Sequence, residues 1–291
     1  MSLLPLLVVL ALVGTVALGA FMTRPPVPSL ETAVAAARRH ARRTSWVAVG
    51  LGVAAALGTA ATSSTLAGGL GVTILRTPVV YAVVHVLVLA IGELTWPRPV
   101  GEVRRARLVH RGLLDAAPRR LLQLSLGAAA LAAVTVTTGG LLAGPDGRTL
   151  TYTVGDGGAG TRSWSSSPFP GWFYGRPAAV GLLLVLAVAI ATLWIVATRP
   201  AVATRDDRVE SALRRASAHR VLRAATGALL FDTGGLVFIT GTSMPDAAPG
   251  PFQALGVVLV VVGVALVLAG AVVACLRAPD VPAPAPAVPV A

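Results

Sequence analysis

RPAVATRDDRVESALRRASAHRVLRAATGALLFDTGGLVFITGT, residues 199–242, carries the pattern that decides the fold. Up to Arg223 the stretch holds seven arginines; from Ala224 to Thr242 it is apolar, with Asp232 its one formal charge. An apolar run of about 20 residues is what a helix needs to cross the ~30 Å hydrocarbon core of a bilayer. A basic segment directly before it reads as the polar face of that bilayer.

The same alternation runs through the chain. It predicts an all-α, polytopic transmembrane helical bundle of seven spans, at about 3–22, 46–62, 79–96, 121–143, 178–198, 224–242 and 252–276. Leu3–Met22 has no basic residue before it, so it reads as an uncleaved anchor rather than a signal peptide. Thr62–Gly71, TSSTLAGGLG, is poor helix and reads as an outer loop. Residues 1–277 then form one transmembrane domain, an anchor helix followed by three helical hairpins. Residues 278–291, alternating Pro with Ala and Val, form a disordered tail.

Composition supports this class. Hydrophobic residues make up 55% of the chain and charged residues 12%, with a mean hydropathy of +0.78; soluble domains carry about 25% charged residues. All 24 basic residues are Arg. Without a lysine, a retinal Schiff base and a P-loop are both excluded. The usage fits the cytoplasmic membrane of a GC-rich bacterium. The net charge of +12 is spread between apolar spans, so it points to anionic lipid headgroups, not to nucleic acid.

Orientation follows from where arginine falls. Segment 24–44 holds five, 97–120 seven and 199–223 seven, and Arg277 brings that side to twenty; the alternate connections hold Arg76, Arg148, Arg162 and Arg176. The chain therefore reads N-out and C-in. The basic segments are expected to be short interfacial helices, with Arg104, Arg105, Arg107, Arg214 and Arg215 meeting headgroup phosphates and Leu213, Ala216 and Val221 meeting lipid. ETAVAAARRH and ESALRRASAH, ending at His40 and His219, match each other. That match raises two further ideas, a repeated hairpin unit and a ligand held by His40, His110 and His219. No spacing supports such convergence, and neither a metal site nor a cofactor is expected.

The outer loop, about 145–177, contains TLTYTV, GDGGAG and TRSWSSS, which together read as a small β-hairpin. Phe169, Trp172, Phe173 and Tyr174 follow as an interfacial aromatic belt.

Three ionisable residues fall within the spans: His85, Glu93 and Asp232. Charge at the bilayer centre costs at least about 2.5–3.5 kcal/mol, so these side chains are expected to face the bundle interior. Glu93 lies close enough to one end to pair with an arginine. Asp232 has no charged neighbour on its own span, and a contact with His85, joined by Tyr81 or Thr233, would relieve both. Cys275 can form no internal disulfide and reads as a packing residue. Gly256, Gly263 and Gly270 recur every seven residues, a smooth stripe for close helix contact.

No HExxH, GxSxG or cysteine cluster is present. The expected class is thus a permease-like or accessory subunit working with another membrane protein. The alternatives are a small-molecule or proton-coupled transporter using Asp232 and His85, and a membrane enzyme on lipid-like substrates pairing Glu93 with His110 or His219.

Overall fold

The computed structural model describes residues 32–62, 71–96, 112–155, 161–201, 207–247 and 251–281. Within them lie α1 (Thr32–Ala61), α2 (Val72–Leu94), α3 (Arg119–Leu142), β1 (Leu150–Gly155), β2 (Thr161–Ser166), α4 (Trp172–Thr198), α5 (Asp207–Ala247) and α6 (Pro251–Cys275). All six helices are long and apolar enough to cross a membrane, which fits a multi-pass membrane protein. The segment 3–22, and with it the first expected span, lies outside the described residues, as do Arg104, Arg105, Arg107 and His110.

Two helices are much longer than expected. The basic segments before α1 and α5 are not separate interfacial helices; each runs straight into its span. No glycine or proline interrupts Thr32–Val49 or Asp207–Thr226, and Ala, Leu, Arg and Glu all favour helix. The 41 residues of α5 extend about 60 Å at 1.5 Å per residue, roughly twice the hydrocarbon thickness. One rigid rod therefore joins the arginine-rich end to the bundle centre.

Two other helices begin earlier than expected. Pro78 and Pro177 lie inside α2 and α4 instead of opening them. Each proline removes its own N–H bond and crowds the carbonyl four residues back, but both lie in the second turn, so the long span on the far side of each is left intact. Gly71, at φ 87°, takes the left-handed conformation that turns the chain into α2. The early start of α4 ends the outer loop at Gly171 and places Trp172, Phe173 and Tyr174 in the first turn.

The hairpin expected in the outer loop is present. β1 and β2 pair antiparallel from Leu150↔Ser166 to Gly155↔Thr161, with Tyr152 opposite Trp164; the Tyr152 ring also lies 5.3 Å from that of Phe252 on α6. The turn before β1 is tied by Asp146, whose Oδ1 accepts from the Thr149 hydroxyl (2.7 Å) and from the N–H groups of Thr149 (3.0 Å) and Arg148 (3.1 Å). These bonds, the Thr149 hydroxyl first, favour the carboxylate and hold its pKa below the usual value. A depressed folded pKa gives a contribution present at neutral pH and lost on acidification. The protection of the Thr149 amide, its exchange measured against the intrinsic rate at each pH, is therefore expected to fall as pH drops through the carboxylate range, with Asp146→Ala showing the lower protection already at neutral pH. An Asp146→Ala protein that exchanges at the parent's rate would remove this role.

Helix pairs are fixed by close approaches. Gly92 of α2 lies against Thr44 of α1, while Gly52 of α1 faces the Tyr81 ring, so α1 and α2 run antiparallel. Val136 meets Gly175 across α3 and α4. α5 packs against α2, α3, α4 and α6 and is the central element. Its Leu229, Leu236, Thr226 and Thr233 are at most 1% exposed.

The outer faces are the reverse. On α6, Val257, Val261, Leu268 and Val272 are each about 60% exposed. A continuous aliphatic surface of this kind has no place in water and suits lipid tails.

Candidate functional site

Two polar groupings stand out in this apolar bundle, one at the arginine-rich end and one at its centre. The first gathers Glu93 of α2, Arg199 just beyond α4, and Glu210, Arg214 and Arg220 of α5. Four of these are buried, and the Arg220 side chain is 13% exposed. Arg199 Nε lies 2.9 Å from Glu93 Oε2 and its Nη1 3.3 Å from Glu210 Oε1. The same guanidinium stacks on Trp96, 4.5 Å from the ring centroid, and Trp96 Nε1 donates to Glu93 Oε2 at 2.8 Å.

Arg214 does not reach headgroups, contrary to expectation. Its Nε donates to Glu210 Oε1 (2.8 Å), Nη1 to the carbonyls of Val196 (2.5 Å) and Ala197 (2.8 Å), and Nη2 to that of Arg199 (2.7 Å). The last carbonyls of a helix have no intrahelical donors and carry its negative dipole end. Arg214 thus caps α4. Leu213 and Val221, expected to meet lipid, are 3% and 1% exposed. The reason is shared: α5 is surrounded on most sides, so this face meets protein. Arg215, one position on, is exposed and remains available to headgroups.

Other arginines act similarly. Arg223 Nη1 donates to the Leu276 carbonyl at the end of α6. Arg220 Nη1 donates to Ala41 O and Ser45 Oγ, both at 3.1 Å, and its Nη2 lies 3.9 Å from Glu93 Oε1. His40 Nε2 donates to Gly92 O at 2.9 Å, and Arg38 Nη2 to Val281 O at 2.6 Å. The first residues of the tail are therefore held against the bundle, with Val281 packed near Trp96, Val209 and Leu213.

Between α1, α2 and α5 at this end lies a small pocket lined by His40, Ala41, Thr44, Leu89, Gly92, Glu93, Trp96 and Arg220, with a volume of about 10 Å³. That is room for about one water.

The second grouping is intramembrane. Asp232 is 1% exposed, Thr233 0% and His85 5%. The expected His85–Asp232 contact is not formed: both Asp232 carboxyl oxygens, Thr233 Oγ1 and His85 Nδ1 have no hydrogen-bond partner. The helix register explains this. Leu75 lies over Gly235 and Glu93 approaches Arg220, so interpolation sets Asp232 opposite positions 78–81 of α2. His85 is one to two turns away, about 6–10 Å along the axis. Its ring instead lies 5.4 Å from that of Tyr81, one turn along the same helix.

No protein-family model, curated protein or solved structure matches this chain. Its chemistry must be read from its own side chains. Among the described residues no three His, Cys, Asp or Glu side chains group to hold a metal ion. Cys275 is buried and in no disulfide.

The glycine stripe of α6 meets a second one. A Cβ on Gly256 would lie 2.8 Å from Gly241 O, one on Gly263 2.8 Å from Gly234 O, and one on Gly270 2.9 Å from Gly227 O. Gly227, Gly234 and Gly241 also recur every seven residues, so α5 and α6 meet backbone to backbone along two matched stripes. Sequence reading missed Gly227, Gly234 and Gly241, together with Arg199 and Glu210. The seven-residue period on α5 and the Glu210–Arg214 spacing of four were the available signals.

Proposed function

We propose that this chain is a permease-like membrane component, crossing the bilayer seven times with its arginine-rich end in the cytoplasm, in which Asp232 carries a proton. The carrying observation is that Asp232 sits on the central helix, fully enclosed, with both oxygens unpartnered. A buried polar group without a partner is expensive, and ionisable residues inside a membrane mark ion and proton pathways more than packing. Orphaned groups at Thr233 and His85, on the packed helices α5 and α2, support the same reading.

The enzyme alternative loses support. Glu93, its proposed acid–base residue, is tied to Arg199 and Trp96 rather than opening toward headgroups. An accessory-subunit role is favoured by one feature, the aliphatic outer face of α6 described above, which would accept a partner helix as well as lipid. Native mass spectrometry of protein extracted with its lipids separates the two: a single copy supports a self-contained proton carrier, and a stable heteromeric complex a subunit working with another membrane protein.

The direct test uses purified protein in sealed liposomes with a pH-sensitive dye inside and an imposed potassium diffusion potential. The parent is expected to conduct protons, and Asp232→Asn to lose that flux while keeping its elution profile and unfolding temperature. Equal flux in parent and variant, or none in the parent, would end the proposal.

A further inference from the structure

We infer that the arginine-rich ends of α1 and α5, together with Trp96, form a cleft that binds an extended Val-Pro peptide, with the chain's own tail as its displaceable ligand. The inference stands apart from the role of Asp232. After α6 ends at Cys275, the chain runs on without helix or strand to Val281, where two contacts meet. The Val281 side chain packs on a cluster of buried apolar residues: Val34 and Ala37 of α1, Val209 and Leu213 of α5, and Trp96. Its carbonyl accepts from Arg38 Nη2 of α1 at 2.6 Å.

Proline-rich chains are recognised by this combination, an aromatic-lined apolar seat for a side chain beside an extended, preformed backbone. The ligand side fits. Pro282 follows Val281, and a proline disfavours the helical region for the residue before it. Val281 therefore arrives already extended and gives up little freedom on seating. From Val281 onward the sequence reads VPAPAPAVPVA, with no charged side chain and with Val-Pro recurring at Val288-Pro289. The protein side is preformed too. Trp96 is fixed by the Arg199 guanidinium 4.5 Å from its ring centroid, by its Nε1 bond to Glu93 at 2.8 Å, and by the His40 ring at 5.6 Å. One carbonyl and one aliphatic side chain meet the terms of the seat, so a free peptide can satisfy them. The tail prevails by its tether, which gives an effective concentration on the order of millimolar.

The test uses the full-length chain in liposomes, with Cys275→Ser as background and a bimane label attached at Asp280→Cys, beside the seat. Bimane is quenched by a tryptophan it touches. Quenching is expected in this background and its loss in Val281→Asn, which puts a polar group in the apolar seat. Loss is also expected in Arg38→Met, which keeps the stem but deletes the donor, and in Trp96→Phe. Arg39→Met, on the exposed face of α1, is expected to leave quenching unchanged. Unfolding temperatures show which variants fold, and Val281→Asn, on the tail, carries the test if the bundle variants do not. Quenching that is absent from the background, that survives in any folded variant of the first three, or that is lost in Arg39→Met overturns the seat. In trans, a peptide of residues 278–287 labelled at Asp280→Cys is added at roughly millimolar concentration. Unlabelled protein carrying Val281→Asn with Val288→Asn, its cleft vacated, is expected to quench that peptide, and the parent, its cleft filled, to quench it far less. Equal quenching by both, or none by either, overturns the tail as a displaceable ligand.

Discussion

Gly263→Leu is expected to leave most of the protein unfolded or aggregated on extraction into detergent, while Gly50→Leu extracts like the parent. A Cβ at Gly263 would lie 2.6 Å from Phe238 N and 2.8 Å from Gly234 O. Both neighbours are backbone atoms of the central helix, so no rotamer change can relieve the overlap. Overpacking a core costs about 1–3 kcal/mol where side chains can shift; here the helices themselves must separate, which places the cost at or above about 3 kcal/mol. Separation also loses the contacts at Gly256/Gly241 and Gly270/Gly227, because the stripes are continuous and helix association in lipid depends on such packing. At Gly50 a Cβ meets nothing within 4 Å, so leucine there only adds to an exposed face. A Gly263→Leu protein with an unchanged unfolding midpoint would show that the two helices are not held by this seam.

Much of this architecture is legible in the sequence because lipid imposes a coarse code. Apolar runs of fixed length and arginine-rich connections locate the spans from 46 onward to within a few residues at their apolar ends. Where spans begin is less legible: Pro78 and Pro177 look like boundaries, but a proline near a helix start breaks little. The basic segments misled for another reason. A row of arginines beside lipid looks interfacial when only its own helix is considered, yet Arg214 and Arg220 lie where α4 and α1 present carbonyls. That depends on which helices surround α5, and no local pattern encodes it. Glu93 was legible as an arginine partner; that the arginine is Arg199, more than a hundred residues away, was not. The missing Asp232–His85 contact shows the same limit, since depth can be counted from the spans but the stagger of packed helices cannot.

Arg214→Met is expected to be nearly as damaging as the glycine change, although it removes a charge from an apolar surrounding. The substitution keeps length and apolar stem but deletes the donors that hold Glu210 and the carbonyls of Val196, Ala197 and Arg199. Breaking a buried pair by removing one partner costs about 3–5 kcal/mol, because the other charge stays buried with less compensation. Glu210 would lose its closest cation and keep Arg199 at 3.3 Å, which is already shared with Glu93. The damage should therefore spread, loosening α4 at its C-terminal end and then α2 through Trp96. Two further variants separate charge from capping. Arg214→Lys keeps the charge but replaces a planar fork by a single ammonium, which cannot serve three carbonyls and a carboxylate at once; an intermediate loss is expected. The double change Glu210→Gln with Arg214→Met removes the under-compensated carboxylate, so it should recover part of the stability and leave mainly the cost of the uncapped helix end. The measurement is chemical unfolding in mild detergent, followed by tryptophan fluorescence, for which Trp96 is a local reporter. If the double variant were no more stable than Arg214→Met alone, the Glu210 charge would not be the source of the loss. The carbonyls at the end of α4 would then be what Arg214 is there to hold.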